Sequence, residues 1–268
     1  MTASPAGRLA GRLAGRRALI TGGSRGIGLG IARAFAAEGA SLVLAATDPA
    51  RLAAAREALA ATGAQVDTRV CDVADRAACF ALVEDARRAL GGLDVLVNCA
   101  GIHKAGRFLD HAPEDFARIM AVNLHGPVHL MQAALPGMIE AGYGKVINVA
   151  STAGKWASVN QSAYNASKHA LVGLTRCVAL ETGRGGVCVN AICPGMVDTD
   201  LVDDFLPGHA AATGTTPEAV RAGLEARIAL GRFLKPPEIG HLAVYLASAE
   251  SDGMTGQSIL LDGGMLFV

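Results

Sequence analysis

The sequence has no net charge, few aromatic residues and no long uninterrupted apolar run. Its 24 basic and 24 acidic residues cancel, and aromatic residues make up 4% of its 268 positions. A balanced charge provides no field that would attract nucleic acid or an anionic membrane. Charges and glycines interrupt the apolar runs, which excludes a membrane-spanning helix of about 20 residues. We therefore expect a cytoplasmic protein with no nucleic-acid or membrane partner and with a small, weakly charged ligand.

Paired cysteine spacing is also missing. The six cysteines, at positions 71, 79, 99, 177, 188 and 193, contain no CxxC pattern. Several lie in apolar runs, so we interpret them as reduced core residues and predict no metal site. The arginine-rich start, GRLAGRLAGRR, has no apolar stretch long enough for a secretory signal. We expect residues 1–15 to be a flexible N-terminal extension, followed by a single domain over 16–268.

Short apolar runs alternate along the chain with alanine-rich segments of helical periodicity. Apolar runs without strict alternation suit strands that are buried on both faces, as parallel strands are. The pattern predicts about seven strands, at 17–21, 41–46, 67–73, 93–100, 144–151, 187–194 and 257–264. It predicts helices at 26–38, 49–62, 75–90, 113–141, 162–183 and 236–248. This repetition is typical of an α/β fold, a Rossmann-like doubly wound parallel sheet with helices on both faces.

The first joint between a strand and a helix carries the sequence ITGGSRGIG. Its glycines, Gly22, Gly26 and Gly28, follow a strand and open a helix. They let the backbone turn tightly and approach a pyrophosphate at the helix N-terminus. The spacing is TGxxxGxG and differs from the commoner GxGxxG pattern. The joint predicts a dinucleotide site, and the alternative is a tight turn without a ligand.

A tyrosine and a lysine form the second notable pattern, in SAYNASKHA at 162–170. Tyr164 precedes Lys168 by four residues, so on a helix the two side chains share a face about one turn apart. In that arrangement both could act on one bound molecule. The alternative is an ordinary surface pair with no ligand.

Taken in order, these motifs resemble the short-chain dehydrogenases/reductases from about residue 15 to the end. The matching segments are TGGSRGIG at 21–28, CDV at 71–73, NCAG at 98–101, Asn123 in VNLHG, Ser151 in NVASTAG, YNASK at 164–168 and PGMVDT at 194–199. Cys99 departs from the family, which usually has a second asparagine there. The resemblance implies an enzyme that transfers a hydride between NADP(H) or NAD(H) and a secondary alcohol or ketone.

The resemblance also implies a catalytic role for four residues. Tyr164 is expected to act as general acid/base at the substrate oxygen. Lys168 is expected to lower the pKa of Tyr164 from its free value of about 10 and to hold the nicotinamide ribose. Ser151 would hydrogen-bond the substrate oxygen, and Asn123 would position a water for proton relay. Ser151 as a helix cap and Asn123 as a backbone-bonding residue are the alternatives for each taken alone.

Cofactor-binding residues follow from the same resemblance. They are Gly22, Ser24, Arg25, Gly26, Ile27, Gly28, Thr47, Asp72, Val73, Asn98, Ala100, Gly101, Tyr164, Lys168, Pro194, Gly195, Val197 and Thr199. An acidic residue at Ala46 would favour NAD(H), and there is none. Thr47 and Arg25 could meet a 2′-phosphate, as in the 3-oxoacyl-carrier-protein reductases that this stretch resembles, so we favour NADP(H). NAD(H) stays open, since Asp48 could turn toward the ribose.

The substrate pocket is expected under a lid at about 200–230. Within it, Thr216 and Pro217 resemble a helix start, with the threonine as cap. The expected wall residues are His103, Ala153, Trp156, Asn160, Gln161, Met196 and Leu201.

Two groups of relatives bear on the substrate. Parts of the chain resemble bacterial 3-hydroxybutyrate dehydrogenases, in which a histidine and a lysine hold the carboxylate. Ala153 and Gln161 stand there, so a small free hydroxy acid is not expected. Other parts resemble aromatic polyketide ketoreductases, which implies a larger, less anionic ketone. The runner-up is a 3-oxoacyl thioester or polyketide on an acyl carrier protein, for which we considered Lys155, Arg176 and Arg184 as basic residues at the pocket mouth.

Two further expectations rest on the resemblance. Long helices at 113–141 and 162–183 carry small apolar residues on more than one face. In the family such helices form a dimer contact, and the C-terminal segment forms a second one, so we expect a homotetramer. A non-catalytic dinucleotide-binding sensor is the remote alternative. The intact set of Asn123, Ser151, Tyr164 and Lys168 favours the enzyme.

Overall fold

Seven strands form one parallel sheet in the computed structural model, which describes residues 11–268. The spatial order is β3-β2-β1-β4-β5-β6-β7. The strands are β1 Arg17–Thr21, β2 Ser41–Ala46, β3 Val66–Val70, β4 Val95–Asn98, β5 Gly144–Val149, β6 Val187–Pro194 and β7 Ser258–Leu261. Every pairing is parallel. The predicted doubly wound α/β sheet is confirmed.

The predicted bounds of β1, β2 and β6 match the structure, whereas the other four strands differ at one or both ends. The segment after β4 shows the physical reason. The backbone N–H groups of Cys99 and Ala100 donate to the Thr21 hydroxyl, at 3.2 and 3.3 Å, instead of to a neighbouring strand. Apolar sequence continues beyond the strand, but its hydrogen bonds no longer belong to the sheet.

Helices connect the strands. They are α1 Gly26–Ala37, α2 Pro49–Ala60, α3 Arg76–Leu90, α4 Pro113–Met120, α5 Gly126–Glu140, α6 Ser162–Thr182, α7 Asp200–Thr213, α8 Pro217–Glu225 and α9 Pro236–Ala247. Side-chain caps fix several starts, because the first N–H groups of a helix lack partners within it. Asp75 accepts from Ala77 and Ala78 at the start of α3. The predicted cap at Thr216 accepts from the Ala219 N–H at 3.2 Å.

One predicted helix, 113–141, is divided in the structure. A π-helical turn at Ala121–His125 separates α4 from α5. The Asn123 side chain at this turn bonds both backbone groups of Ile102, donating to its carbonyl and accepting from its N–H at 2.9 Å each. Periodicity does not distinguish a π turn from an α turn, because one extra residue barely changes the apolar pattern.

The N-terminal segment begins to pack against the domain at earlier residues than the sequence predicts. Of the predicted extension, residues 1–10 lie outside the described residues. Leu13 is fully buried in the core, and its N–H donates to the Glu38 carbonyl at 3.1 Å. Arg12 pairs with Glu250. The folded part therefore includes residues 11–15, because a buried leucine anchors a stretch that looks repetitive and polar.

Each face of the sheet has its own apolar layer. One core cluster joins β-strand residues to α1, α2 and α9 through side chains such as Phe35, Leu52 and Ile239. The other joins the opposite face to α3 and α5 through Leu82 and Met131. A smaller apolar cluster packs α7, α8 and the segment after α8 together. Its buried members are Val202, Phe205, Leu206, Ala210, Val220, Ile228 and Phe233. Within residues 11–268, the helices do not include one long and apolar enough to cross a membrane.

The strand order reverses between β1 and β4. From β1 the chain moves outward to β2 and β3, and then returns to β4 on the other side of β1. The loops after β1 and β4 therefore diverge at the carboxyl edge and leave a crevice between them. In open parallel sheets ligands bind at such a switch point.

The packing of the N-terminal segment can be tested by Leu13→Ala. Loss of a fully buried leucine should lower the free energy of unfolding by about 2–5 kcal/mol. Urea unfolding followed by circular dichroism measures it. Leu109→Ala, at a leucine that is 90% exposed, is the control and should change stability by less than about 0.5 kcal/mol. A similarly small loss for Leu13→Ala would mean that residues 11–15 do not pack on the domain.

Candidate functional site

A cavity of about 440 Å³ occupies the crevice at the carboxyl edge of the sheet. Most of the predicted cofactor residues line it. These are Gly22, Ser24, Arg25, Gly26, Ile27, Gly28, Thr47, Asp72, Val73, Ala100, Gly101, Tyr164, Lys168 and Thr199. They come from the loops after β1, β2, β3 and β4, from the first turn of α1, from α6 and from the residue before α7. We call this space the cofactor cavity.

The glycine loop is shaped for close backbone approach. Gly22 has a φ of +66°, a left-handed conformation that favours glycine. A Cβ added to Gly28 would lie 2.1 Å from the Gly22 carbonyl oxygen, so no other residue fits there without a shift. α1 begins at Gly26 beside the cavity, and its first N–H groups suit an anionic group. The residues present therefore fit the pyrophosphate of a dinucleotide.

Four predicted cofactor residues lie elsewhere. The Asn98 amide donates to Asn148 Oδ1 at 2.8 Å and is buried within the sheet. Pro194 ends β6. Val197 is buried and pairs with Leu234 in a short parallel bridge. Gly195 lines a second cavity instead. Asn98 and Val197 are instead held inside the domain, by a side-chain hydrogen bond and by a buried bridge, which the sequence motifs do not reveal.

The corner of the cavity beyond β2 is rich in paired charges. Asp48 also lines the cavity, and its Oδ1 caps α2 by accepting from the Ala50 and Arg51 N–H groups at 2.9 and 3.0 Å. Arg25 and Arg51 both donate to Asp200, at 2.8 and 3.1 Å. Arg51, Arg25 and Asp200 all line the cavity.

The sequence analysis missed several lining residues, chiefly two arginines. The sequence could have indicated Arg51, because a cation in the first turn of a helix is unfavourable next to the helix dipole and so suggests an anionic partner. Arg118, which donates to Asp72 at 2.9 Å, carries no comparable signal. The other lining residues that were not predicted for the cofactor are Ala45, Ala46, Asp48, Cys71, Cys99, Ile102, Val122, Val149, Ala150, Asp200 and Leu201.

The Tyr164 and Lys168 pair lies on the inner side of α6. The ammonium nitrogen of Lys168 lies 5.6 Å from the centroid of the Tyr164 ring and donates to the Val149 carbonyl at 2.9 Å. Lys168 is 4% exposed and Tyr164 is partly buried, so this is not an ordinary surface pair. Ser151 follows β5 and accepts from the Ala153 N–H at 3.1 Å. Tyr164 lines both cavities, whereas Ser151 lines the second one.

Asn123 reaches the same place from the π turn. A Cβ added to Gly101 would lie 3.4 Å from Asn123 Oδ1 and 3.7 Å from the Lys168 nitrogen. Gly101 thus lies beside both of these polar groups. Asn123 Nδ2 also donates to the Ser167 hydroxyl at 3.1 Å, on the helix that carries Lys168. The predicted four residues are therefore brought to one end of α6.

Burial governs the protonation of the pair. It raises the pKa of Tyr164 to about 12, and a hydrogen bond with Ser151 offsets this only in part. It lowers the pKa of Lys168 to about 8. The expected lowering of the Tyr164 pKa is therefore not found in the protein alone. Desolvation of the phenolate outweighs the effect of a cation that is itself partly neutral near pH 8.

A second cavity of about 350 Å³ adjoins the first at Tyr164 and Leu201, which line both. We call it the substrate cavity. The predicted wall residues His103, Ala153, Trp156, Gln161, Met196 and Leu201 line it. Asn160 does not, because its left-handed backbone, with a φ of 60°, aims its carbonyl at the Gly106 N–H. Lining residues that were not predicted for the substrate are Ser151, Thr152, Ala157, Ser158, Val159, Tyr164, Gly195, Val202, Phe205, His209, Leu224, Arg227 and Met265.

Histidine supplies the polar part of the wall near Tyr164. The His103 ring lies 5.0 Å from the Tyr164 ring, edge to face, and its Nε2 lies 3.2 Å from Gln161 Oε1. Burial lowers the pKa of His103 to about 4, so the ring is neutral at physiological pH. A neutral His103 and Gln161 offer hydrogen bonds but no fixed charge.

The basic residues considered for the mouth of the substrate cavity do not line that cavity. Lys155, Arg176 and Arg184 lie outside the described lining of the substrate cavity, and Arg184 lies just before β6, at the opposite edge of the sheet. Arg227 lines the cavity instead, with its guanidinium 4.9 Å above the Trp156 ring. Among the described residues, no group of three or more His, Cys, Asp or Glu side chains could hold a metal ion.

Known proteins resemble the chain over nearly its whole length. The profile of a family described as enoyl-(acyl carrier protein) reductase matches residues 22–266. The D-beta-hydroxybutyrate dehydrogenase of Cupriavidus necator is 41% identical over 250 residues, which are 93% of this chain and 97% of the relative.

Solved structures agree. A crystal structure of a short-chain type dehydrogenase/reductase from Mycobacterium marinum superposes with a TM-score of 0.88 at 35% identity and covers 96% of this chain and 97% of that one. A crystal structure of an actinorhodin polyketide ketoreductase variant with NADPH has a TM-score of 0.90 at 33% identity, with coverage of 96% and 99%. The chain therefore belongs to the short-chain dehydrogenase/reductase family, whose members are NAD(P)-dependent oxidoreductases acting on alcohols and ketones.

Proposed function

We propose that this protein is an NADP(H)-dependent reductase of a bulky, mostly apolar ketone. The observation that carries the proposal is the position of Tyr164, which lines both the cofactor cavity and the substrate cavity. A proton donor at the junction of two cavities can reach a carbonyl group that faces a hydride donor. A nicotinamide cofactor in the first cavity supplies or accepts that hydride.

The residues at the end of α6 divide the proton chemistry among them. The Tyr164 hydroxyl donates its proton to the carbonyl oxygen during reduction. Ser151 hydrogen-bonds the same oxygen and stabilises the charge that develops on it. Lys168 holds the ribose hydroxyls and supplies positive charge, and Asn123 links the pair toward solvent. These roles are supported by the convergence of the four side chains at one end of α6.

The Tyr164 hydroxyl is protonated in the protein alone. With a pKa of about 12, the hydroxyl carries its proton throughout the physiological range and is ready to donate it. Oxidation of an alcohol needs the phenolate, which a nearby positive charge must favour.

The charged corner supports a preference for NADP(H). Arg25, Arg51 and Thr47 line the cavity beyond β2, where an adenosine ribose would lie. Guanidinium groups bind phosphate through parallel hydrogen bonds. In Asp48, the residue that would have favoured NAD(H), one carboxylate oxygen caps α2 and the other faces Arg51. Ala46 offers no carboxylate to the ribose.

The wall of the substrate cavity supports a bulky apolar substrate. Apolar side chains make up much of its lining, notably Met196, Leu201, Val202, Phe205, Leu224 and Met265. Ala153 and Gln161 supply no charge for a carboxylate near Tyr164. A 3-oxoacyl thioester, including one on an acyl carrier protein, is the second candidate. Arg227 favours it, because a cation beside Trp156 suits the phosphate of a pantetheine arm.

We also propose that one catalytic domain acts in the cytoplasm as a homotetramer. Support for assembly comes from large apolar side chains that this single chain leaves uncovered, such as Leu180 on α6 at 86% exposure and Phe267 near the C-terminus at 88%. Support for the compartment comes from the six cysteines, which are all free.

Replacement of the proton donor tests the catalytic proposal. The protein should reduce a bulky uncharged cyclic ketone with NADPH, and Tyr164→Phe should lower kcat about 10²- to 10⁴-fold, the usual contribution of a general acid. NADPH affinity, measured by fluorescence titration, should stay within about threefold, because the phenol ring remains in place.

Tyr245→Phe is the matched control on α9 and should keep full activity. An acetoacetyl thioester assayed in parallel separates the substrate classes. Faster turnover of the thioester than of the ketone would make the protein an acyl reductase. Unchanged kcat in Tyr164→Phe would refute the role of Tyr164.

The cofactor preference predicts a selective loss in Arg51→Ala. Removal of one guanidinium should weaken NADPH binding about tenfold or more, since hydrogen bonds to a charged group contribute about 1.5–3 kcal/mol. NADH binding should change by less than twofold, because it lacks the 2′-phosphate. Arg56→Ala, an exposed arginine on the same helix, is the control. Equal losses for both nucleotides would overturn the preference.

Burial of Lys168 predicts a pH-dependent stability. Its folded pKa of about 8 lies below the usual 10.5, so the charged form is disfavoured in the fold, and this penalty is full below pH 8 and fades as the pH rises toward 10.5. The free energy of unfolding of Lys168→Met, relative to the parent protein, should therefore be higher at pH 7 than at pH 10 by about 2 kcal/mol.

Urea unfolding at the two pH values measures this difference. Lys104→Met, at an exposed lysine, controls for the loss of a lysine charge. A difference between Lys168→Met and the parent protein that is the same at pH 7 and pH 10 would show that the ammonium carries no burial penalty.

A further inference from the structure

One carboxylate of the lid joins three separate parts of the cofactor cavity. Asp200 is the first residue of α7, and its Oδ2 accepts from Arg25 of the glycine loop at 2.8 Å and from Arg51 of α2 at 3.1 Å. Each of the three side chains is about half exposed and lines the cavity. The start of the lid is thus tied to the two arginines that the proposed function assigns to a 2′-phosphate.

The charges in this cluster balance. Asp48 also faces Arg51, with 3.5 Å between its Oδ2 and the guanidinium Nε. Two guanidinium groups therefore face two carboxylates, Asp48 and Asp200. A phosphate monoester, which carries nearly two negative charges, would enter a corner with no uncompensated cation and with carboxylates close by. Its binding requires that one carboxylate move away.

Asp48 is the carboxylate that stays. Its Oδ1 accepts two N–H groups at the start of α2, and loss of such a cap destabilises a helix by about 1 kcal/mol. Asp200 has no such anchor. Apart from a hydrogen bond with its own backbone N–H, its side-chain hydrogen bonds within the described residues come from Arg25 and Arg51. Exposed ion pairs of this kind contribute little each, so Asp200 can leave at low cost.

We propose that Asp200 is a specificity-determining residue that occupies the Arg25 and Arg51 guanidinium groups until a 2′-phosphate displaces it. Binding of NADP(H) then releases the start of α7, whereas binding of NAD(H) leaves α7 tethered. This inference rests on the proposed preference for NADP(H) and adds to it a competing group within the chain itself. Both nucleotides would bind, and the protein would distinguish them by the position of its lid.

The consequence reaches the substrate cavity through α7. The next residues of the helix, Leu201, Val202 and Phe205, line that cavity. Leu201 lines both cavities, directly after Asp200. Movement of the first turn of α7 would therefore change the wall beside Tyr164. The choice of cofactor is coupled in this way to the shape of the substrate cavity.

Nucleotide fragments test the competition without any turnover. The probes are 2′,5′-ADP and 5′-ADP, which differ by the 2′-phosphate, bound to the full chain and measured by isothermal titration calorimetry. Asp200→Asn removes the competing charge and keeps the size of the side chain. It should tighten 2′,5′-ADP binding about fivefold and leave 5′-ADP binding within about twofold, a gain typical of freeing exposed ion pairs.

Asp203→Asn is the matched control, since Asp203 lies in the same first turn of α7 and has the same charge. It should change neither affinity. If Asp200→Asn binds 2′,5′-ADP no more tightly than the parent protein does, the competition is refuted. Arg51→Ala separates this from failure of the cofactor preference. A loss of 2′,5′-ADP affinity in Arg51→Ala with no gain in Asp200→Asn refutes the role of Asp200 alone.

Hydrogen exchange of the α7 amides tests the release of the lid. In the parent protein, 2′,5′-ADP should speed exchange in the first turn of α7 relative to 5′-ADP, because the tether is lost. In Asp200→Asn the two nucleotides should give the same exchange. Equal exchange with both nucleotides in the parent protein would overturn the coupling between cofactor and lid.

Discussion

Burial of a lysine beside a tyrosine is the constraint on which the rest of this site depends. Lys168 is 4% exposed and its pKa falls to about 8, so the fold holds an ammonium where water cannot solvate it. The Val149 carbonyl accepts one of its protons. Gly101 lies beside both the Lys168 ammonium and Asn123. Stability is given up here for function, since an apolar side chain would be less costly in the same position.

The parallel sheet makes this burial feasible. Strand β5 presents Val149 and then Ser151 at its carboxyl end, and α6 lies across that end with Tyr164 and Lys168 on its inner side. The reversal of strand order between β1 and β4 opens the crevice into which both side chains face. The polar chemistry is thus confined to the edge of the sheet. Apolar layers cover the two faces of the sheet, and buried polar residues such as Asn98 and Asn148 pair with each other.

Much of this could be predicted from sequence, because it depends on local patterns. Three strands have the predicted bounds, and the strand-helix repetition was sufficient to predict the sheet. The glycine loop also lines the cofactor cavity, as do Tyr164 and Lys168 of the YNASK segment. The π turn at Asn123 could not be predicted, since one inserted residue hardly changes an apolar pattern. The direction in which the pKa of Tyr164 shifts could not be predicted either, because desolvation depends on what the fold packs around the phenol.

The charged corner shows why specificity is harder to predict than reaction class. Asp200 is 175 positions away from Arg25 and 149 positions away from Arg51. Only the folded chain therefore reveals that the two arginines share its carboxylate. A motif places an arginine in the glycine loop, but the charge available to a ligand depends on which carboxylates already face it. Here two arginines are matched by Asp48 and Asp200. Under the proposal made above, cofactor preference depends less on the presence of arginine than on how easily Asp200, its present partner at the start of α7, can leave.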